Sequence, residues 1–158
     1  GQEKIVMTKK SVIATVLGAF LGVFIYNAIQ KTVPVEIQNA PDWRSLEAGL
    51  QEARDSDKLV LVDVYEDGCK YCRAMEREVY PDITVRAVLD AGYIPVKVNG
   101  NADVPIRFQG QELSSRTWAQ RQGIYVFPGT LVLDPNGNQL KRRTGFMNTD
   151  ELRQFLYR

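Results

Sequence analysis

Cys69 and Cys72 are the only cysteines of the chain, and they stand where an apolar run meets a helix-patterned one. The run before them, Lys58 to Tyr65, is almost continuously apolar (Leu59-Val60-Leu61-Val62-Asp63-Val64). That pattern suits a central strand covered on both faces. The run after them, Arg73-Ala-Met-Glu-Arg-Glu-Val79, is helix-forming. A buried strand must therefore feed directly into a helix whose first turn carries two thiols. Together with the order of elements along the rest of the chain (helix, strand, helix, strand, helix, then a hairpin and a helix), this implies an α/β fold, a mixed sheet with helices on both faces. Two thiols separated by Lys70 and Tyr71 can close into a small, reversible disulfide. The orphan N–H groups of a helix start favour the thiolate of the first cysteine. A thiolate there can attack a disulfide, and the second cysteine can resolve the product.

Two other uses of the pair are open. A static disulfide across two residues would close too small a loop to stabilise much. A metal site needs more than two sulfurs, and the 158 residues contain no histidine, so only a dimer could supply four ligands. The missing histidine also excludes an imidazole base. A formal charge of +1 gives no electrostatic footprint for nucleic acid.

The charges are unevenly placed. Ser11 to Gln30 is a run of 20 residues without one, flanked by Lys9 and Lys10 before it and Lys31 after it. As a helix it would reach ~30 Å, the thickness of a bilayer core. It exceeds a typical signal-peptide core, and no small-x-small cleavage site stands near Tyr26 to Lys31. An uncleaved anchor is expected, with a cleaved signal peptide as the alternative. The excess of lysine before the run predicts a cytoplasmic N-terminus and an extracytoplasmic domain. From Thr32 onward, 16 Lys/Arg face 18 Asp/Glu, an ordinary soluble surface. The expected organisation is a cytoplasmic segment over 1–10, a transmembrane anchor over 11–30, a linker with two prolines over 31–41, and one folded domain over 42–158.

Within that domain Asp42 is expected to cap a first helix carrying Trp43, Leu46, Leu50 and Ala53. The strand 58–65 and the cysteine helix follow, with a break near Pro81 and a further helix over 83–90. Tyr93 to Val98 reads as a strand, and 104–110 as an extended excursion. Ser114 caps a helix that stops at Gly123. Residues 129–133 and 139–144 form an antiparallel pair about the turn Asp134-Pro-Asn-Gly-Asn138. A last helix spans 149–157. Asp63 lies among five apolar neighbours, which favours burial; a buried carboxyl has a raised pKa and can shuttle a proton to Cys72. Pro128 opens a strand where it would cost a ladder bond, which points to a special geometry.

With these residues in place, positions 42–158 resemble the thioredoxin superfamily, and within it the membrane-tethered, extracytoplasmic thiol–disulfide reductases. Asp63 stands six residues before Cys69, where that family carries a buried acid. Lys97 falls where a partner lysine is usual, though it also reads as a solvated strand residue. Pro128 matches a cis-proline facing the disulfide, Gly145 precedes the last helix, and Arg143-Thr-Gly-Phe-Met147 resembles reductase domains that relay electrons across bacterial inner membranes. The chain departs from the family at Gly68, where tryptophan is usual, at Lys70-Tyr71, at Gly129, where threonine is common, and in a longer stretch from Lys97 to Pro128.

The resemblance implies a thioredoxin-like mixed sheet behind one transmembrane helix. It implies a protein-disulfide reductase in which Cys69 attacks, Cys72 resolves, Asp63 assists proton transfer and Pro128 shapes the groove. No cofactor or metal is expected beyond the redox-active Cys69–Cys72 pair. The implied partners are disulfide-bearing client proteins, a membrane or thiol electron donor, and the bilayer through residues 11–30. Two rivals remain: an oxidase or isomerase on the same scaffold, and a tethered module whose thiols only bind metal or client.

Overall fold

The computed structural model describes residues 8–32 and 34–157; most of the expected segment 1–10 lies outside them. The chain divides into two compact units between Glu36 and Ile37. Among the described residues the first unit holds one helix, α1 (Lys9–Thr32). Its Lys9–Lys31 stretch has a mean hydropathy of 2.1, none of it is buried, and it is long and apolar enough to cross a membrane. Phe20 and Phe24 stand fully outward.

The second unit is a mixed α/β fold. Its elements run α2 (Leu46–Ser56), β1 (Leu59–Tyr65), α3 (Lys70–Ala74), α4 (Ile83–Gly92), β2 (Tyr93–Asn99), β3 (Pro105–Phe108), β4 (Gln111–Ser114), α5 (Ser115–Arg121), β5 (Gly129–Leu133), β6 (Gln139–Thr144) and α6 (Thr149–Leu156). Four strands form the main sheet in the order β2-β1-β5-β6. β1 and β2 run parallel, and β5 is antiparallel to both β1 and β6.

Side chains alternate across this sheet, as the pleat requires. Val60, Val62, Val64, Ile94, Val96, Val98, Leu131 and Leu133 bury one face beneath α2 and α5, with Leu46, Leu50 and Trp118. Leu61, Tyr93 and Val132 bury the other, with Met75, Tyr80, Val85, Leu89 and Leu152 from α4, α6 and the segment after α3.

Polar caps set the helix starts. Ser45, Asp82 and Ser114 each accept a backbone N–H at the starts of α2, α4 and α5. Asn148 and Glu151 close a reciprocal box at α6. The first helix differs from the sequence expectation, because Asp42 is not its cap. Arg44 stays extended instead. Its N–H donates to Pro95 O at 2.9 Å, and its carbonyl accepts from Lys97 N at 3.1 Å. That parallel bridge covers the open edge of β2, so the chain can turn helical only after Ser45.

The excursion after β2 is also more ordered than expected. It is a two-stranded hairpin, β3–β4, turned by Gln109 and Gly110 at φ 49° and 78°. Ile106, Phe108 and Leu113 anchor it on the α5 side of the core. No Asn-Gly or Asp-Gly pair marks this turn, so the pattern alone conceals it.

Candidate active site

β1 ends at Tyr65, and the chain turns through Glu66-Asp-Gly68 into the cysteine helix. Gly68 sits at φ +77°, a left-handed conformation that favours glycine; this accounts for the loss of the usual bulky residue there. Cys69 is the N-cap of α3, and its sulfur accepts from Cys72 N at 3.1 Å. The two cysteines are joined as a disulfide, with Cα atoms 5.3 Å apart. Cys69 is half-buried, while Cys72 is only 5 % exposed. An incoming sulfur therefore reaches Cys69 first.

After α3 the helix widens to a π-helical segment over Met75–Val79, closed by Tyr80 N donating to Met75 O at 2.9 Å. This extra residue per turn sets where Glu76 and Tyr80 meet the sheet.

Beneath the helix a polar row crosses the sheet. Register places Lys97 of β2 beside Asp63 of β1, Asp63 beside Thr130 of β5, and Thr130 beside Arg143 of β6. By alternation, Asp63 lies on the same face as Leu61, the face on which Met75, Val79 and Tyr80 of the segment after α3 pack. Asp63 is 1 % exposed, and neither carboxyl oxygen has a hydrogen-bond partner. Burial pushes its pKa up to about 7; Lys97 pulls it back, Glu76 adds to the rise, and Tyr80 opposes it. A carboxyl poised near neutrality can both take and return a proton.

Lys97 is not the solvated residue its position also allowed. Its Nζ meets Glu76 Oε1 at 2.6 Å, with only 19 % of the lysine side chain exposed. The same ammonium lies 4.7 Å from the Tyr65 ring centroid and 5.8 Å from that of Trp43. Glu76 thus draws Lys97 away from full pairing with Asp63. Sequence reasoning passed over Glu76, Tyr80 and Thr130. Glu76 lies seven residues after Cys69, on the same helical face, which is the one signal that could have found it.

The Phe127–Pro128 peptide is cis, and Pro128 O accepts from Gly145 N at 2.7 Å. Pro128 immediately precedes Gly129, which pairs with Val64 of β1. A Cβ on Gly129 would lie 2.7 Å from Ile124 Cγ2, so Ile124 occupies the space a threonine would need. Tyr71, between the cysteines, and Tyr125 and Val126, just before the cis peptide, are exposed, and Tyr71 and Phe146 stand with ring centroids 6.2 Å apart. The two rim acids are tied down: Asn101 donates to Glu66 at 2.9 Å and Asn99 to Asp67 at 3.2 Å. Among the described residues, no group of three or more Cys, Asp or Glu could hold a metal ion.

Comparison with known proteins agrees with this geometry. The profile of thioredoxin-like domains matches residues 46–158. Thiol:disulfide interchange protein DsbD 1 of Pseudomonas aeruginosa is 45 % identical over 110 residues, covering 68 % of this chain and 17 % of that protein. The DsbD protein of Ralstonia nicotianae is 27 % identical over 105 residues, or 66 % of this chain and 16 % of the relative. The chain thus spans about a sixth of the length of these relatives. Among solved structures, a thioredoxin from Thermus thermophilus has a TM-score of 0.60 at 21 % identity, over 74 % of this chain and 85 % of its own. The reduced C-terminal domain of Neisseria meningitidis DsbD has a TM-score of 0.53 at 20 % identity, over 70 % and 90 %. Both likenesses concern the fold.

Proposed function

The chain belongs to the thioredoxin-like family of thiol–disulfide oxidoreductases, and from that premise we propose that it is a membrane-anchored reductase of extracytoplasmic protein disulfides. One observation carries the chemistry: a disulfide with an accessible outer sulfur and a buried inner one follows directly on the strand that holds an unpartnered, buried carboxyl. The direction is supported by the interchange proteins that the chain resembles.

In the reduced protein the Cys69 thiolate attacks a client disulfide. A Cys69–client disulfide forms, and one client sulfur leaves as thiolate. Cys72 then gives its proton to the Asp63 carboxylate, bonds to Cys69, and expels the second client sulfur. The client gains two electrons and the protein is left as the disulfide. A donor dithiol reverses these steps, with Asp63 returning its proton to Cys72. The exposed Tyr71, Tyr125 and Val126, together with the cis-Pro128 turn, form the rim against which an extended client segment rests.

The organisation proposed is a cytoplasmic segment over 1–10, an anchor over 11–30, a linker over 31–41 and the catalytic domain over 42–158, set outside the inner membrane. The apolar length of α1 and the excess of lysine before it support this orientation.

Cys72→Ser in the full chain is expected to accumulate Cys69-linked client disulfides, recoverable from membranes and visible on non-reducing gels. A wild-type protein that fails to reduce insulin in the presence of a dithiol donor, and a variant that traps nothing, would defeat the reductase reading. Protease added to spheroplasts should digest the domain. Protection from it would reverse the orientation.

A further inference from the structure

Three polar side chains meet in the core of the catalytic unit with no partner. Asp63 is 1 % exposed, Tyr80 and Thr130 are 0 %, and no oxygen of the three side chains has a partner at hydrogen-bond geometry. Asp63 and Thr130 are cross-strand neighbours on β1 and β5. Tyr80 arrives from the far end of the cysteine helix, its ring held edge-on by Trp43 at 4.9 Å. Its hydroxyl is near enough to Asp63 to oppose the rise of that carboxyl's pKa, and near enough to Asp63 and Thr130 for each to bias its own. Leaving three buried polar groups unpaired is costly, and they are mutually complementary. A hydroxyl and a phenol can each donate, and an ionised carboxylate can only accept.

We propose that Tyr80 is a positioning residue for Asp63: when Asp63 ionises, Thr130 donates to the Tyr80 oxygen and Tyr80 donates to the carboxylate, forming a chain that holds the acceptor of the Cys72 proton. The proposal rests on the reading of Asp63 as that acceptor. Tyr80 keeps its own proton throughout. Burial pushes its phenol well above the ordinary value, so it remains a donor at every working pH. No proton passes along the chain. Tyr80 stabilises the carboxylate that receives one and releases it when Asp63 is neutral. The helix can deliver this donor because the widened Met75–Val79 turn ends on Tyr80.

The other groups facing Asp63 are accounted for. Lys97 on β2 faces it but is held by Glu76 of the helical segment. Thr130 comes from β5. Arg143, one strand further on β6, pairs with Glu151. The Cys69 and Cys72 thiols join this set on reduction. Lys97 and Glu76 set the charge around Asp63, whereas Tyr80 and Thr130 supply neutral donors.

The test compares Tyr80→Phe, Thr130→Val and Asp63→Asn in the full chain. The pH dependence of mixed-disulfide resolution is followed beside the Asp63 carboxyl band in difference infrared spectra. Losing one hydrogen bond to a charged acceptor should move the Asp63 midpoint upward by about one to two pH units in Tyr80→Phe. Thr130→Val should give a smaller shift in the same direction. An unmoved midpoint in Tyr80→Phe, with the band lost in Asp63→Asn, overturns the role of Tyr80 while leaving Asp63 as the acceptor. A resolution profile identical to wild type in Asp63→Asn overturns the underlying reading instead. The wild-type protein alone gives an answer if Tyr80→Phe does not fold. One ring C–O band of tyrosine should shift as Asp63 titrates, and a spectrum without such a shift rejects the proposal.

Discussion

The two faces of the four-stranded sheet are built from the same strands and do different work. On the face under α2 and α5, every strand residue in the core is aliphatic, from Val60 and Val62 to Leu131 and Leu133. On the opposite face, charged and polar side chains enter the sheet in one row, where Lys97, Asp63 and Thr130 lie side by side. The first face gains stability from burial without chemistry. The second gives up part of that gain to hold a carboxyl near neutrality. Alternation along a strand allows both at once, because adjacent residues face opposite layers.

The sharpest way to break this comparison is to remove the acid. Asp63→Asn should slow resolution of the mixed disulfide by roughly 10²–10⁴-fold, the usual worth of general acid–base help. Stopped-flow exchange with a disulfide substrate reads this, and unchanged rates across neutral pH would make the polar row structural.

The opposite face should respond the other way round. Leu131→Ala removes a fully buried side chain from the aliphatic layer. It should cost about 2–5 kcal/mol in urea unfolding. The pH profile of exchange should stay where it is. A displaced profile would mean that the two faces are coupled.

The cost of the buried acid should itself depend on pH. The native state holds the Asp63 proton up to about 7, whereas the ordinary carboxyl value is 3.8. The native state therefore binds more protons between those values, and its stability falls as pH rises through them. Below pH 3.8 both states are protonated and no penalty applies; above pH 7 the penalty is complete. Asp63→Asn should thus match wild type near pH 4 and exceed it by roughly 2–4 kcal/mol above pH 7. Parallel curves at both pH values would contradict a carboxyl whose charged form is penalised by burial.

The smallest effect belongs to Glu76. Its charge raises the Asp63 pKa, and it occupies Lys97. Glu76→Gln removes the repulsion and frees the ammonium for Asp63. The midpoint of exchange should move down by roughly one pH unit, opposite in sign to the shift expected for Tyr80→Phe. An upward shift would show that Glu76 acts mainly by holding Lys97 in place.

Much of this was legible in the order of residues. The buried strand, the cysteine pair at a helix start and the closing hairpin are local patterns, because periodicity and turn chemistry act over a few residues. Asp63 announced its own burial by its apolar neighbours. Asp42 misled for an equally physical reason: a good cap loses to a backbone ladder when a sheet edge is near enough to take Arg44. The β3–β4 hairpin escaped notice because its turn is Gln109-Gly110, a pair with weak turn preference.

Sequence alone determined the reacting atoms, the strand–helix junction that presents them, and the apolar length that can cross a bilayer, since each is a property of a contiguous segment. Only the tertiary structure decided what surrounds Asp63. Lys97, Glu76, Tyr80 and Thr130 come from three different elements, up to 67 positions from Asp63 in the chain. They meet because parallel and antiparallel registers align one row of side chains beneath a helix whose widened turn brings Glu76 and Tyr80 onto it. Charge coupling depends on distance in space, and no spacing along a chain specifies that distance until the sheet has formed.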